Sequence, residues 1–186
     1  MASSLLILGG AQSGKSRYAV ALHPPRHRVT FVATAHAHDA DMAARIARHR
    51  AARPPSWRTI EEPLELAQVL KDAARVSDAV IVDCLTLWVA NLMRRGDPDA
   101  LVLKAGDELA AVVLDGAVDL ALVSNEVGQG VHPATADGIR FRDLLGGVNQ
   151  RVAAVCERVV MMVAGLPLTL KEPPPRSPLA DVVQAP

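Results

Sequence analysis

Apolar residues along the chain fall into short blocks that alternate between two spacings. Leu5–Leu8 is a continuous apolar run that ends in a glycine pair, which predicts a first buried strand. Ser16–Leu22 then reads as a helix. Val29–Ala33 is β-branched and aromatic and predicts a second strand. Asp41–Ala52 is rich in Ala and Arg and predicts a helix stopped by Pro54 and Pro55. Trp57–Ile60 reads as a short extended piece and Glu65–Ala74 as a helix. Ala79–Val82 predicts a third buried strand ending in Asp83. Leu85–Arg95 and Ala100–Leu114 read as helices split by Gly96-Asp97-Pro98. Leu120–Val123 predicts a fourth strand ending at Ser124-Asn125-Glu126, followed by an exposed loop over Val127–Pro133. Within Ile139–Val155, residues Phe141, Leu144, Leu145, Val148, Val152 and Val155 recur at helical spacing. Val159–Val163 predicts a fifth strand, and Leu166–Leu170 is a candidate edge strand.

Strands alternating with helices imply an α/β fold, a mostly parallel sheet covered on both faces. Pro173, Pro174, Pro175, Pro178 and Pro186 crowd the last stretch, so residues 172–186 are expected to be a disordered tail on one domain spanning 1–171. Composition changes this picture little. Half of the 186 residues are apolar and 22% are charged, as in an ordinary globular protein with a substantial core. The 20 basic and 20 acidic residues balance, so no global field draws the protein to nucleic acid or anionic lipid. Any phosphate binding has to be local. Cys84 and Cys156 lack metal-type spacing and fit a reduced setting. No signal-peptide pattern opens the sequence. No apolar run reaches the roughly 18 residues of a membrane span. The expected location is cytoplasmic.

The chemistry starts at Gly9-Gly10-Ala11-Gln12-Ser13-Gly14-Lys15-Ser16. It matches the phosphate-loop pattern G-x-x-x-x-G-K-[ST], after a predicted strand and before a predicted helix. Glycines let the backbone curl so that successive N–H groups face phosphate oxygens. The helix N-terminus adds positive potential there. Lys15 is expected to reach the β- and γ-phosphates of ATP or GTP, and the Ser16 hydroxyl to ligate Mg²⁺. Asp83, at the carboxyl end of a buried strand, lies where α/β sheets bind ligands and is the candidate second group for the magnesium shell. Ser124-Asn125-Glu126 ends a strand on the same side. It is a candidate for sensing phosphate or lining a substrate pocket, and a turn role fits the spacing equally well.

A second segment runs Met42-Ala43-Ala44-Arg45-Ile46-Ala47-Arg48-His49-Arg50-Ala51-Ala52-Arg53-Pro54. On a helix, Arg45 lies four residues before His49 and Arg53 four after. Neighbouring cations disfavour a protonated imidazole and attract phosphate, a combination suited to nucleophilic attack on an α-phosphoryl group. Pattern alone favours the plainer reading, a solvated helix face with an incidental histidine. His36 and His38 form an H-x-H pair without further ligands nearby, which fits a surface loop. His23, His27 and His132 are isolated and read as surface residues. Trp57 and Trp88 read as core.

Taken together, several stretches in order resemble a known family: GGAQSGKSR at Gly9–Arg17, MAARIARHRAARPPSWRTIEEP at Met42–Pro63, DCLTLWVANL at Asp83–Leu92, SNEVGQGVHP at Ser124–Pro133 and FRDLLGGVNQRVA at Phe141–Ala153. The chain is similar to the bifunctional adenosylcobinamide kinases/adenosylcobinamide-phosphate guanylyltransferases of cobalamin biosynthesis, from about Leu5 to Lys171. The resemblance implies a RecA-like P-loop fold and a homotrimer. It implies two reactions at one site, with Mg²⁺: phosphorylation of adenosylcobinamide by ATP or GTP, then transfer of GMP from GTP through a histidine. That histidine falls on His49; Arg48 stands before it, where some relatives carry a second histidine. Nucleotide contacts are implied at Thr34, Ala35 and His36, at Arg50, Ala51, Ala52 and Arg53, and at Glu62 and Asp83. Two rival readings remain on the residues alone: a P-loop small-molecule kinase with no covalent step, and a RecA-like ATPase module that works by binding a partner. Against the last stands the lack of a basic, aromatic-rich strand-binding surface.

Overall fold

Among the described residues, five of the seven strands alternate side chains between two apolar environments, and that alternation builds the sheet's two covered faces. The computed structural model describes residues 2–36, 50–51 and 53–173. The strands are β1 (Ser4–Gly9), β2 (Val29–Ala33), β3 (Arg58–Glu61), β4 (Ala79–Asp83), β5 (Asp119–Val123), β6 (Arg158–Val163) and β7 (Leu166–Lys171). They form one sheet in the order β3-β2-β4-β5-β1-β6-β7. Every pairing is parallel except β6 with β7. The expected α/β sheet, mostly parallel, is therefore what the chain forms. The antiparallel exception follows from a two-residue turn: Ala164 and Gly165 both have positive φ and reverse the chain directly.

Helices among the described residues include α1 (Lys15–Ala21), α2 (Leu66–Ala74), α3 (Leu85–Arg95), α4 (Asp99–Asp115) and α5 (Ala136–Val155). Successive strand side chains point to opposite faces. Leu6, Leu8, Val32, Val80, Val82, Leu120 and Leu122 face one way and bury against α2, α3, α4 and α5. Leu5, Ile7, Phe31, Ile81, Ala121 and Val123 face the other way, with Ala19 of α1 and Trp57. Fully burying one such aliphatic side chain contributes roughly 1.5–3 kcal/mol. Both tryptophans are core residues, as expected: Trp88 is 1% and Trp57 7% exposed. α5 begins three residues earlier than its apolar spacing predicts, because the Thr135 hydroxyl accepts from the Gly138 N–H and caps it.

In register, Ala33 stands beside Asp83, Asp83 beside Val123, and Val123 beside Ile7. The carboxyl ends of β2, β4, β5 and β1 thus share one edge, and on it lie Thr34, Asp83, Ser124 and Gly9. Among the described residues, no helix is long and apolar enough to cross a membrane. The predicted helix over Asp41–Ala52 and most of the proline-rich tail lie outside the described residues.

Candidate functional site

The loop from Gly9 to Ser16 leaves β1 and enters α1 through three left-handed residues. Gly9 has φ 146, Gln12 φ 55 and Gly14 φ 95. A Cβ at Gly9 would stand 2.6 Å from the Met162 carbonyl oxygen and 2.7 Å from Ser13 Oγ, so only glycine fits. Gly14 occupies the N-cap of α1 and no side chain caps that end, leaving the first-turn N–H groups to an incoming anion. The outer wall of the loop rests on the β6–β7 turn, where the Gly165 N–H donates to the Ser13 carbonyl at 3.1 Å.

Lys15 is only 7% exposed. Its Nζ donates to the carbonyl oxygens of Gly9 at 2.9 Å and Gly10 at 2.6 Å, and to Ser13 Oγ at 3.4 Å. The ammonium is thus folded into the loop's own concavity. Ser16 follows on the first turn of α1 and is half-buried. Ala11 and Gln12 are exposed at the tip of the loop.

Across the edge, Asp83 ends β4 with its carboxylate in no hydrogen bond or ion pair among the described residues. Its main chain is held tightly. The Thr34 N–H donates to the Asp83 carbonyl at 3.2 Å. The Thr34 hydroxyl donates to the Cys84 carbonyl at 2.6 Å and accepts from the Cys84 N–H at 2.8 Å. Thr34 is 0% exposed, and its hydroxyl holds the Asp83–Cys84 turn. The Thr34 carbonyl in turn accepts from Asn91 Nδ2 at 2.8 Å, and the same amide reaches the Pro63 carbonyl at 3.2 Å. Burial, with the Asp83 charge beside it, pushes the Cys84 thiol up to about 11, so it stays protonated at neutral pH.

The remaining expected contacts line the outer end of the same edge. Ala35 is half-buried and His36 exposed, directly after β2. The Arg53 guanidinium lies 3.5 Å over the Phe31 ring and donates to Thr59 Oγ1 at 3.4 Å. Burial lowers its pKa, and the Asp83 carboxylate opposes that shift. Arg50 is exposed and stands 3.9 Å from Glu61, and Ala51 beside it is exposed. Glu62 Oε1 accepts from the Leu64 and Glu65 N–H groups, both at 2.8 Å, and so orders the chain entering α2. His49 and Ala52 lie outside the described residues, as does His38. Among the described residues, no group of three His, Cys, Asp or Glu that could hold a metal ion is found.

One histidine departs from its surface reading. His23 is half-buried at the end of α1, and burial lowers its pKa. Sequence reasoning also passed over three buried polar residues, Thr86, Asn91 and Asn149, each at most 7% exposed, and Ser124, named only as part of a strand-end triplet, is fully buried. Asn149 Oδ1 accepts from the Ser124 hydroxyl at 2.7 Å, and its Nδ2 donates to the Asn125 carbonyl at 3.1 Å. Thr86 Oγ1 accepts from the Asn125 N–H at 2.7 Å. The available signal was a polar residue inside an apolar helical stripe, Asn149 beside Val148 and Val152, and Asn91 beside Val89 and Leu92.

A family model described as cobinamide kinase / cobinamide phosphate guanyltransferase matches residues 5–170. The chain is 46% identical over 172 residues to a bifunctional adenosylcobalamin biosynthesis protein of Pseudomonas aeruginosa, covering 91% of this chain and 98% of that one. It is 34% identical over 179 residues to the protein of the same description from Escherichia coli K12, covering 90% and 99%. Among solved structures, a KaiC-like protein of Pyrococcus horikoshii matches with a TM-score of 0.47 at 12% identity, covering 86% of this chain and 70% of that one.

Proposed function

The chain belongs to the cobinamide kinase / cobinamide phosphate guanyltransferase family, and from that premise we propose that one phosphate loop serves both of its reactions. The enzyme phosphorylates cobinamide with a nucleoside triphosphate and transfers GMP from GTP to cobinamide phosphate, releasing pyrophosphate. The observation that carries the shared site is the buried Lys15 ammonium, folded onto the Gly9 and Gly10 carbonyls and facing the edge that bears Asp83. A triphosphate seated in the loop offers Lys15 a stronger, anionic partner than these carbonyls.

Each step then follows from what the chain's groups hold. In the kinase step the loop amides and Lys15 fix the β- and γ-phosphates, and the acceptor hydroxyl attacks the γ-phosphorus in line. In the guanylyl step His49 is the nucleophile. Its imidazole nitrogen bonds to the α-phosphorus as the bond to the α,β-bridging oxygen breaks, and pyrophosphate leaves with that electron pair. An oxygen of cobinamide phosphate then attacks the same phosphorus and the P–N bond breaks, freeing His49. Arg53 and Arg50 supply positive charge on the nucleotide's path, supported by the Arg53 guanidinium lying over Phe31 of β2, the strand paired with the one that ends in Asp83. Thr34 acts on this reading by holding the Asp83–Cys84 turn, because its hydroxyl hydrogen is given to the Cys84 carbonyl. Ala35, His36, Ala51, Ala52 and Glu62 belong to the nucleotide-facing rim.

Mg²⁺ fits the oxygen donors here. Ser16 and Asp83 provide one hydroxyl and one carboxylate, and Mg²⁺ takes few protein ligands alongside substrate phosphates. When bound, it neutralises charge developing on the phosphates. A homotrimer is the proposed assembly; support comes from the exposed edge strand β7, where Leu166, Leu168 and Leu170 share one face at 72%, 57% and 55% exposure.

The test is product analysis with cobinamide, Mg²⁺ and each triphosphate. The reading expects cobinamide phosphate from ATP or GTP, and GDP-cobinamide with pyrophosphate from GTP alone. Phosphorylation without any GDP-cobinamide would reduce the protein to a simple kinase.

A further inference from the structure

Glu126 is the carboxylate at the phosphate loop that none of the roles above uses. It sits one residue beyond the Ser124-Asn125 pair, three residues after the end of β5, the strand between β1 and β4. Its backbone N–H donates to the Gly9 carbonyl at 3.2 Å. That same oxygen accepts from Lys15 Nζ at 2.9 Å. The two residues therefore meet on one atom, and the Glu126 side chain starts beside the ammonium that is to hold the terminal phosphates. Ser124 makes a parallel tie one step earlier, from its N–H to the Ile7 carbonyl at 2.9 Å.

The backbone leading to Glu126 is fixed from behind by buried polar groups. Asn149 holds the Ser124 hydroxyl and the Asn125 carbonyl, and Thr86, three residues after Asp83, holds the Asn125 N–H. The carboxylate itself is half-buried, and Oε1 accepts from the Gly128 N–H at 2.8 Å. A Cβ at Gly128 would stand 3.1 Å from that oxygen, so glycine leaves the carboxylate room. Among the described residues Glu126 has no cation partner. Glu61, by contrast, faces Arg50, and Glu62 is occupied by two backbone amides. A carboxylate held by neutral donors, with its second oxygen directed to no protein donor among the described residues, suits an acceptor hydroxyl.

We propose that Glu126 is the general base of the kinase step, accepting the proton of the cobinamide hydroxyl as that oxygen attacks the γ-phosphorus. The new P–O bond forms while the bond from the γ-phosphorus to the β,γ-bridging oxygen breaks. Its electron pair leaves with the nucleoside diphosphate, and the proton passes from Glu126 to solvent. The assignment rests on the two-reaction reading above. The guanylyl step has no such need, because cobinamide phosphate attacks as an anion. Loss of Glu126 therefore separates the two activities.

The experiment compares wild type, Glu126→Gln and Glu126→Asp with Mg²⁺. It measures cobinamide phosphorylation by ATP and formation of the GMP–protein adduct from GTP. In Glu126→Gln the ratio of phosphorylation to adduct formation should fall about 100-fold or more, mainly in kcat rather than in the KM for cobinamide. Glu126→Asp should recover part of it. A ratio within threefold of wild type, or equal loss of both reactions, would overturn the assignment. Failure of the wild type to phosphorylate cobinamide at all would instead overturn the kinase reading, and Glu126's role with it.

Discussion

The two ends of the same parallel strands treat their carboxylates in opposite ways. At the amino end, Asp78 precedes β4 and is saturated by Arg28, through the backbone N–H at 2.9 Å, Nε at 3.1 Å and Nη2 at 2.6 Å. Asp119 opens β5 and accepts from the Ser3 N–H at 2.7 Å and its hydroxyl at 3.3 Å. At the carboxyl end, Asp83 has no such partner among the described residues, and Glu126 has one backbone donor. Yet the main chain at that end is the more elaborately held, by Thr34, Asn91, Thr86 and Asn149. One edge uses side-chain charge to fasten the chain. The other fastens the chain with neutral groups and leaves charge for a ligand. A strand-end acid with its own arginine contributes to the fold, whereas one buttressed only through its backbone is placed for chemistry.

The strongest way to break this contrast is at the loop. Lys15→Ala should lower both phosphorylation and guanylyl transfer about 100- to 1000-fold, measured as initial rates on the same preparation. If one activity survives intact, the two reactions do not share the loop. Asp83→Asn should raise the Mg²⁺ concentration for half-maximal rate about 10- to 100-fold; an unmoved Mg²⁺ titration would return Asp83 to an ordinary strand end. Asn149→Ala sharpens the comparison from behind. It strands the buried Ser124 hydroxyl and the Asn125 carbonyl, and should cost about 2–3 kcal/mol in urea unfolding.

The smallest effect belongs to the amino end. Arg28 holds the Asp78 carboxyl below its usual range, chiefly by hydrogen bonding. A lowered folded pKa gives stability that is present above the unfolded value, about 4. That stability is lost as pH falls through the folded value. Asp78→Asn should therefore lower the thermal midpoint slightly at pH 7 and converge with wild type below about pH 4. Its transferase rates at pH 7 should match wild type.

Much of this was legible in advance, for identifiable reasons. The α/β alternation follows from runs such as Ala79–Val82 and Leu120–Val123, whose continuous apolarity only a two-sided parallel sheet explains. The phosphate loop follows from Gly9, where a side chain would clash, and from Gly14, whose φ is positive. Less legible was the support beneath the site. Thr34 reads as a nucleotide contact, and no spacing shows that its hydroxyl also holds the Cys84 peptide. No local spacing reveals that Asn149, in α5, reaches Asn125 across the chain. Polar groups that serve a neighbouring strand's backbone are fixed by tertiary contact, and a periodicity argument sees only their own element. Glu126 was visible as part of a strand-end triplet, and what distinguishes it, the Gly9 oxygen shared with Lys15, exists only in three dimensions.

The central claim is that a triphosphate nested in the Gly9–Ser16 loop presents its α-phosphorus to His49. Mass spectrometry of the intact and digested protein after GTP and Mg²⁺ tests it directly. The account predicts an acid-labile GMP adduct on the peptide carrying His49, absent from Lys15→Ala. No adduct, or one on another residue, would contradict it.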